Sequence, residues 1–294
     1  MRIVVTGSTG FIGSALLPIL RNAGHDAVPL VRSKSSKGVF WDPETGRIEM
    51  EELKDFDAVV HLAGENIASG RWTSARKARL RNSRIKGTTL ISESIAKMPR
   101  PPQVLVSASA IGYYGDRGSE ALREDSAPGH GFLADLCREW EASTEAASRK
   151  GIRVIRMRFG IVLAPHGGVL GKMLLPFKLG VGGKVGSGTQ YMSWITLDDL
   201  CDAILHAIQT TALSGPVNAV APNPVTNLEF TKTLGRVLKR PTLFPMPAFA
   251  ARLALGEMAD ELLLSSAKVE PARLVASDFQ FKHKDLESAL RSFL

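Results

Sequence analysis

The sequence predicts an α/β protein built on a doubly wound parallel sheet, and two observations carry the prediction. Apolar, β-branched runs alternate with helix-like segments between residues 1 and 160, the order that builds a parallel sheet with helices on both faces. The chain also opens on the apolar run Ile3–Val5, followed at once by a glycine-rich turn and a helix-like segment. Right-handed crossovers between such strands give the doubly wound arrangement.

The individual elements follow from apolar spacing and from breaker residues. Prolines between residues 99 and 102 remove backbone donors and fix the backbone, so they end one helix before the next strand begins. Strands are predicted at Arg2–Thr6, Ala27–Val31, Ala58–Leu62, Gln103–Ser107 and Arg153–Arg158, and helices at Phe11–Asn22, Ser83–Lys97 and Leu133–Lys150.

Beyond Gly160 the pattern changes, because glycine and proline become frequent and interrupt the alternation. These segments predict a wall over a cofactor cleft. The later elements are predicted as a helix capped by Asp198 and Asp199 that runs through His206, a strand at Val217–Val220, a helix at Leu228–Leu238 with a capping box of Thr226 and Glu229, and a last helix at Leu286–Leu294.

Two regions are expected from this change of pattern. A dinucleotide-binding domain comprises residues 1–165 and is completed by about 190–222. A smaller and mostly helical region on the substrate side comprises residues 166–189 and 223–294.

The glycine-rich turn predicts a dinucleotide site of the Rossmann type. Gly7 permits the tight turn, Gly10 lets the backbone approach a diphosphate, and Gly13 lets the helix lie close to the strand. The helix N-terminus offers free N–H groups and a partial positive charge to the phosphates. The residues expected to bind the cofactor here are Gly7, Thr9, Gly10, Phe11, Ile12 and Gly13.

The end of the second predicted strand indicates which dinucleotide binds. An NAD site usually carries an acidic residue about 20 positions beyond the glycines, which accepts hydrogen bonds from the ribose 2′-hydroxyl. This sequence has Arg32 there, and a guanidinium binds a 2′-phosphate through two parallel hydrogen bonds. Ser33 and Lys34 add a hydroxyl and a second cation, so NADP(H) is predicted, with a solvated basic loop as the alternative.

Composition narrows the class of protein. A chain of 294 residues with 44% hydrophobic residues can bury a substantial core. It has no apolar stretch of about 20 residues, and its first strand leaves no room for a targeting peptide, so we expect no membrane span and a cytoplasmic location. The two cysteines, Cys137 and Cys201, fit a reducing compartment and predict no metal site.

The net charge of +8 raises the question of nucleic acid. Much of the charge lies in Arg76, Lys77, Arg79 and Arg81, which surround a helix instead of forming one recognition face. We therefore expect a solvated helix face, with attraction of an anionic cofactor as the functional alternative, and no nucleic-acid partner.

Three phrases occur in order along the chain: Gly7-x-x-Gly10-x-x-Gly13, His61-Leu-Ala-Gly64, and Ser107-Ala-Ser109 followed by Tyr114-Gly115. They resemble the cofactor fingerprint, the loop beside the adenine ribose and the active-site strand of the extended short-chain dehydrogenase/reductase superfamily, which includes nucleotide-sugar epimerases and dehydratases. The resemblance implies that Leu62, Ala63, Gly64, Ser107 and Arg158 also line the cofactor, with Arg158 at the nicotinamide end.

Further phrases resemble an atypical epimerase-like subfamily of unassigned function that carries a short C-terminal helical module. Among them are Leu62-Ala-Gly-Glu-Asn66, Trp140-Glu141 and Gly256-Glu-Met. In many relatives the helices that correspond to Ser83–Lys97 and Leu133–Lys150 form a homodimer, so the resemblance makes a homodimer an option for this chain.

The chemistry of the superfamily normally needs a serine and a Tyr-x-x-x-Lys pair, in which the lysine lowers the pKa of the tyrosine and holds the ribose. Residues four positions after the three tyrosines of this chain are Arg117, Gly118 and Ile195, so the pair is absent. Alignment on Glu141 places Leu133 at the tyrosine and Cys137 at the lysine, and neither can replace that proton chemistry.

The candidate catalytic residues are therefore Ser109, Tyr113 and Tyr114. Ser109 corresponds to the serine that binds the reacting oxygen, and its alternative role is to satisfy backbone groups at a strand end. A phenol without the lysine acts better as an acid than as a base, which favours reduction over oxidation. The sequence predicts an NADP(H)-binding oxidoreductase or epimerase-like protein for an unknown small molecule, with a non-catalytic NADP(H) sensor as the alternative.

Overall fold

The computed structural model describes residues 1–33, 36–49 and 55–294. Its strands are β1 Arg2–Thr6, β2 Asp26–Val31, β3 Val39–Asp42, β4 Arg47–Ile48, β5 Ala58–His61, β6 Val104–Ala110, β7 Ala121–Leu122, β8 Arg153–Phe159, β9 Ile161–Leu163, β10 Tyr191–Met192, β11 Trp194–Thr196, β12 Gly215–Ala219, β13 Val225–Thr226 and β14 Lys268–Val269.

The helices are α1 Phe11–Asn22, α2 Ser74–Ala96, α3 Phe132–Ala142, α4 Glu145–Arg149, α5 Gly168–Lys178, α6 Leu197–Gln209, α7 Asn227–Leu238, α8 Ala248–Leu255, α9 Glu257–Ala259, α10 Ala272–Ala276 and α11 Leu286–Phe293. A 3-10 turn follows β6 at Ile111–Tyr114, and a π-helical turn follows α9 at Asp260–Leu264.

Eight strands form one sheet in the order β12-β8-β6-β5-β1-β2-β3-β4, and its pairings are parallel except that of β3 with β4. The predicted doubly wound parallel sheet is thus confirmed. Register places Thr6 of β1 beside His61 of β5, and His61 beside Ser107 of β6. The strand order reverses between β1 and β5, and such a reversal opens a crevice at the carboxyl ends of the strands.

Alternating side chains of the central strands supply two cores. Ile3 and Val5 face the helices α1 and α6 and pack with Leu16 and Ile204, whereas Val4 faces the opposite layer and packs with Ile91 of α2. These strands are covered on both faces, which is why they are continuous apolar runs in the sequence.

Two helices differ from their predicted bounds by more than a few residues. α2 begins at Ser74 and not at Ser83, because Thr73 caps it by accepting a hydrogen bond from the amide of Arg76. The segment predicted as one helix at Leu133–Lys150 is divided into α3 and α4. The hydroxyls of Ser143 and Thr144 bond back to the carbonyls of Glu139 and Glu141 and compete with the helix there.

The C-terminal region packs a third core between α5, α7 and α11, around Trp194, Phe230 and Leu290. The predicted capping box of Thr226 and Glu229 is present at the start of α7. Within the described part of the chain, no helix combines the length and the apolar character needed to cross a membrane.

The cap predicted at Asp198 and Asp199 is corrected by the structure. Thr196 caps α6, and the buried Asp199 carboxylate accepts hydrogen bonds from the amides of Lys282 and His283 at 2.7 and 3.0 Å. Phe281 precedes the two residues that bind Asp199, and its side chain belongs to the core of the central sheet. The tail therefore packs on both regions, and the division into 1–165 with 190–222 and the remainder stays a prediction.

Candidate cofactor and active site

The turn between β1 and α1 leaves no space for a side chain at Gly7 or Gly13. Gly7 has a φ of +66°, in the region that favours glycine. A Cβ atom on Gly13 would lie 2.2 Å from the carbonyl oxygen of Gly7, so only glycine lets α1 pack this closely on the turn. A Cβ atom on Gly7 would lie 2.9 Å from the amide nitrogen of Ala63, in the loop after β5.

The first turn of α1 offers donors to an anion. The amide of Gly10 bonds to the carbonyl of Gly7 at 2.9 Å, but the amides of Phe11 and Ile12 donate to no backbone carbonyl in the described ranges. Thr9 and Gly10 are exposed at the mouth of the crevice. The Phe11 ring packs under the start of α5, where a Cβ atom on Gly167 would lie 3.1 Å from it. Free amides at a helix N-terminus are suited to bind phosphate.

Thr6 fixes the neighbouring loop against the glycine turn. Its Oγ1 accepts hydrogen bonds from the amides of Leu62 and Ala63, each at 3.1 Å, and lies 2.8 Å from Nδ1 of His61. Because these amides occupy both acceptor positions of the hydroxyl, its hydrogen is donated to Nδ1 and the His61 proton lies on Nε2. Burial lowers the pKa of His61 to about 4, so the ring is neutral.

Replacement of His61 by asparagine is expected to flatten the pH dependence of stability. The folded-state pKa of about 4 lies below the ordinary value of 6.5, so the unfolded chain binds more protons between them. The neutral ring therefore contributes fully to the free energy of unfolding above pH 6.5. This contribution decreases by up to about 3 kcal/mol as the pH falls toward 4. Asparagine keeps an acceptor for Thr6 but does not titrate. Urea unfolding of both proteins between about pH 7 and 4 measures the difference, and parallel curves would contradict the assignment.

Arg32 and Ser33 follow β2 and are both exposed. Among the described residues Arg32 has no ion-pair partner, so its guanidinium is available to an anionic ligand. Lys34, predicted as the second cation, lies outside the described residues. The assignment of this loop to a 2′-phosphate stays a prediction.

A buried ion pair lies at the carboxyl ends of β6 and β8. Arg158 binds the Glu141 carboxylate through two hydrogen bonds, Nε to Oε1 at 2.8 Å and Nη2 to Oε2 at 3.0 Å. Ser109 pairs with Arg158 in the sheet and donates to Glu141 Oε1 at 2.7 Å. Burial alone would lower the Arg158 pKa, but its hydrogen bonds to Glu141 and the charge of that carboxylate raise the pKa above its ordinary value.

The two candidate tyrosines lie in different environments. Tyr114 is fully buried, and its hydroxyl accepts from Arg158 Nη1 at 2.8 Å and contacts Asn218 Oδ1 at 2.7 Å. Burial raises the pKa of Tyr114 to about 12. Tyr113 is half-buried, its ring lies 3.5 Å from Arg158 Cζ, and its hydroxyl forms no hydrogen bond within the described residues. Tyr113 therefore has the free phenol of the pair.

The positions that align with the superfamily's tyrosine and lysine are apolar in character. Leu133 packs on the 3-10 turn, since a Cβ atom added to Gly112 would lie 3.1 Å from the Cβ atom of Leu133. Cys137 is buried, and burial together with the charge of Glu141 raises the pKa of its thiol to about 12. The thiol is neutral and supplies no cation at this position.

The structure brings the predicted catalytic residues Ser109, Tyr113 and Tyr114 together with Arg158. Ser107 lies two residues before Ser109 in β6 and is buried, and its hydroxyl makes one long contact of 3.5 Å with the carbonyl of Ala108. Arg158 donates its hydrogen bonds to Glu141, the Tyr114 hydroxyl and the carbonyl of Glu124. The roles assigned to these residues stay predictions.

The solvated helix face expected in α2 is present at Arg79 and Arg81 but not at Arg76. Arg76 is buried, forms an ion pair with Glu65, and donates to the carbonyl of Asn66 at 2.6 Å. Arg76 thus links the loop after β5 to α2, and its charge stabilises the fold and is not solvated.

Two residues of the cluster were missed in the sequence. From the sequence, Glu141 was used only to align α3 with the superfamily's helix. Its position one helical turn after Cys137 could have indicated an acidic residue near the site. Asn218 lies beside Arg158 in β12, a register that sequence spacing does not reveal.

A crevice at the reversal of a doubly wound sheet, floored by a glycine turn and free amides, places this protein among the dinucleotide-binding α/β proteins. Residues 3–220 match the NAD dependent epimerase/dehydratase family, and the chain belongs to that family. Residues 246–293 match a domain of unknown function, DUF1731. The resemblance stated from the motifs is thus confirmed.

Sequence similarity to known proteins covers nearly the whole chain. The chain is 44% identical over 290 residues to the epimerase family protein Mb2239 of Mycobacterium bovis, covering 98% of this chain and 96% of the relative. It is 37% identical to the epimerase family protein YfhF of Bacillus subtilis, covering 100% and 98%. A crystal structure of human epimerase family protein SDR39U1 (isoform 2) with NADPH superimposes with a TM-score of 0.93 at 35% identity, covering 100% and 99%.

Proposed function

We propose that this protein binds NADP(H) and reduces or isomerises a carbonyl-containing small metabolite, with Tyr113 as the proton donor. The observation that carries the proposal is the glycine turn, in which a Cβ atom on Gly13 would lie 2.2 Å from the Gly7 carbonyl oxygen. Such close packing of helix on strand presents the helix N-terminus to a diphosphate. The NADPH in the human relative supports the choice of cofactor.

The residues present fit a 2′-phosphorylated dinucleotide. The amides of Phe11 and Ile12 would receive the diphosphate, and the exposed Arg32 would receive the 2′-phosphate. Leu62, Ala63 and Gly64 would line the adenine side, and Thr6 holds the amides of Leu62 and Ala63 there. When bound, NADPH supplies a hydride.

Proton donation is assigned to Tyr113 because its phenol is the free one of the adjacent pair. The Arg158 guanidinium lies against its ring at 3.5 Å and limits its rotation. Glu141 binds Arg158, and Ser109 donates a hydrogen bond to Glu141, so both act as positioning residues. A phenol held in this way can protonate a developing alkoxide, which favours carbonyl reduction.

Replacement of Arg32 by alanine is expected to weaken NADPH binding by about ten- to a hundredfold and to leave NADH binding unchanged, because one charged hydrogen-bonding group is removed. Titration followed by cofactor fluorescence measures both constants. Arg100→Ala serves as the control, since that side chain is 89% exposed. If the wild type binds the two cofactors equally and Arg32→Ala changes neither, the 2′-phosphate assignment is wrong.

Turnover tests the catalytic half of the proposal. With saturating NADPH and a panel of aldehydes and ketones, we expect Tyr113→Phe to lower kcat by about a hundredfold or more without changing NADPH affinity. Phenylalanine keeps the ring against Arg158, and Tyr191→Phe controls for loss of a hydroxyl elsewhere. Binding of NADPH with no turnover on any member of the panel would favour the sensor function instead.

A further inference from the structure

A second cation, Arg84, lies beside the loop after β5. Arg84 reaches from α2 toward the loop after β5, where a Cβ atom on Gly64 would lie 3.6 Å from its Cγ and Cζ atoms. Its guanidinium carbon also lies 5.0 Å from the ring centroid of Trp140 in α3. The Trp140 ring is itself fixed, since its Nε1 donates to Thr88 Oγ1 at 2.9 Å. Arg84 is thus held between two helices with its face against an indole.

Arg84 is partly buried and has no acidic partner among the described residues. Its Nη1 donates to the carbonyl of Leu80 in its own helix at 3.1 Å, and no carboxylate in the described part of the chain forms an ion pair with it. The nearby Glu65 carboxylate is taken by Arg76. Burial lowers the pKa of Arg84, and a cation in such surroundings is costly unless a ligand uses its donors.

The position of Arg84 near α3 suggests a role for its charge. Cys137 occupies the position that aligns with the superfamily's lysine, and Trp140, which lies against Arg84, follows Cys137 by about one helical turn in α3. The two helices therefore converge where the lysine would hold the cofactor ribose. Arg84 thus brings a positive charge from α2 to this part of α3.

We propose that Arg84 binds the ribose on the nicotinamide side of NADP(H), in place of the lysine absent from α3. The forked donors of a guanidinium suit the paired hydroxyls of a ribose. Gly64 has no side chain to cover Arg84 from the crevice. This inference rests on the proposed cofactor, and it adds a binding residue that the glycine turn and Arg32 do not supply.

Two ligands and two substitutions test the assignment by binding alone. The ligands are NADPH and adenosine 2′,5′-bisphosphate, which keeps the 2′-phosphate but lacks the nicotinamide half. Arg84→Met keeps contact with Trp140 and removes the charge, whereas Arg84→Lys keeps the charge. We expect Arg84→Met to weaken NADPH binding by about tenfold or more with no change for the bisphosphate, and Arg84→Lys to recover most of the loss.

Controls separate this inference from the proposed function. Arg32→Ala should weaken both ligands, and Arg79→Met, exposed on the same helix, should weaken neither. Equal NADPH affinity in the wild type and Arg84→Met, or a parallel loss of both ligands, would overturn the role of Arg84 and leave the proposed function standing. A wild type that binds no NADPH would overturn the proposed function itself. If Arg84→Met does not fold, Arg84→Gln takes its place with the same two affinities.

Discussion

Replacement of Glu141 by leucine is expected to lower the free energy of unfolding by about 3–5 kcal/mol, because it leaves the Arg158 guanidinium buried without a counterion. The side chains of Arg158 and Glu141 are 3% and 10% exposed, so water cannot take the place of the carboxylate. The same substitution removes the acceptor of the Ser109 hydroxyl. Urea unfolding followed by circular dichroism measures the loss.

Glu139 offers a matched control two residues away on α3. It also pairs with an arginine, Arg81, but the two side chains are 37% and 48% exposed. Glu139→Leu should therefore cost less than about 1 kcal/mol. In the double variant Glu141→Leu with Arg158→Met, much of the lost stability should return, since no buried charge remains. Equal losses of unfolding free energy for Glu141→Leu and Glu139→Leu would show that burial of the Arg158–Glu141 pair does not increase the cost of removing its carboxylate.

The parts of the fold that depend on neighbouring residues were predictable from the sequence. α1 has the predicted bounds Phe11–Asn22, because a glycine turn before it and an apolar stripe along it are both local signals. The capping box of Thr226 and Glu229 lies within four residues. The parallel sheet was predictable because its central strands β1 and β5 are buried on both faces and are therefore nearly continuous apolar runs.

The candidate site was predictable only in part. Ser109 and Glu141 are 32 positions apart, and their contact exists because α3 packs over the end of β6. Tyr113 and Tyr114 are adjacent in the sequence, yet the 3-10 turn directs one into the core and leaves the other half-exposed. Composition cannot separate such residues, because their environments are set by tertiary packing and not by spacing.

The start of α2 shows a related difficulty. Its first turns carry Arg76, Lys77, Arg79 and Arg81 with few apolar positions, so the helical period is weak there. What holds these turns is the Thr73 cap and the ion pair of Arg76 with Glu65, which comes from a loop. A helix stabilised by polar contacts to a loop gives little signal in its own sequence.

Replacement of Gly13 by alanine is expected to lower NADPH affinity by at least about a hundredfold and to destabilise the protein by about 1–3 kcal/mol. The new Cβ atom would lie 2.2 Å from the Gly7 carbonyl oxygen and 2.8 Å from the Ser8 Cα atom, and both neighbours are backbone. The start of α1 must therefore move away from β1. The displaced helix takes the amides of Phe11 and Ile12 with it, so the diphosphate would lose its donors.

Gly10 and Gly171 separate the two effects of that substitution. A Cβ atom on Gly10 would lie 3.1 Å from the Gly7 carbonyl oxygen, so Gly10→Ala should fold almost normally but obstruct the diphosphate and weaken NADPH binding. A Cβ atom on Gly171, within α5, would meet nothing within 4 Å, so Gly171→Ala should bind normally and unfold at a slightly higher temperature. Thermal unfolding without ligand and fluorescence titration with NADPH measure the two quantities separately. Normal NADPH binding by Gly13→Ala would mean that the cofactor does not depend on the close packing of α1, and the glycine turn would lose its assigned role.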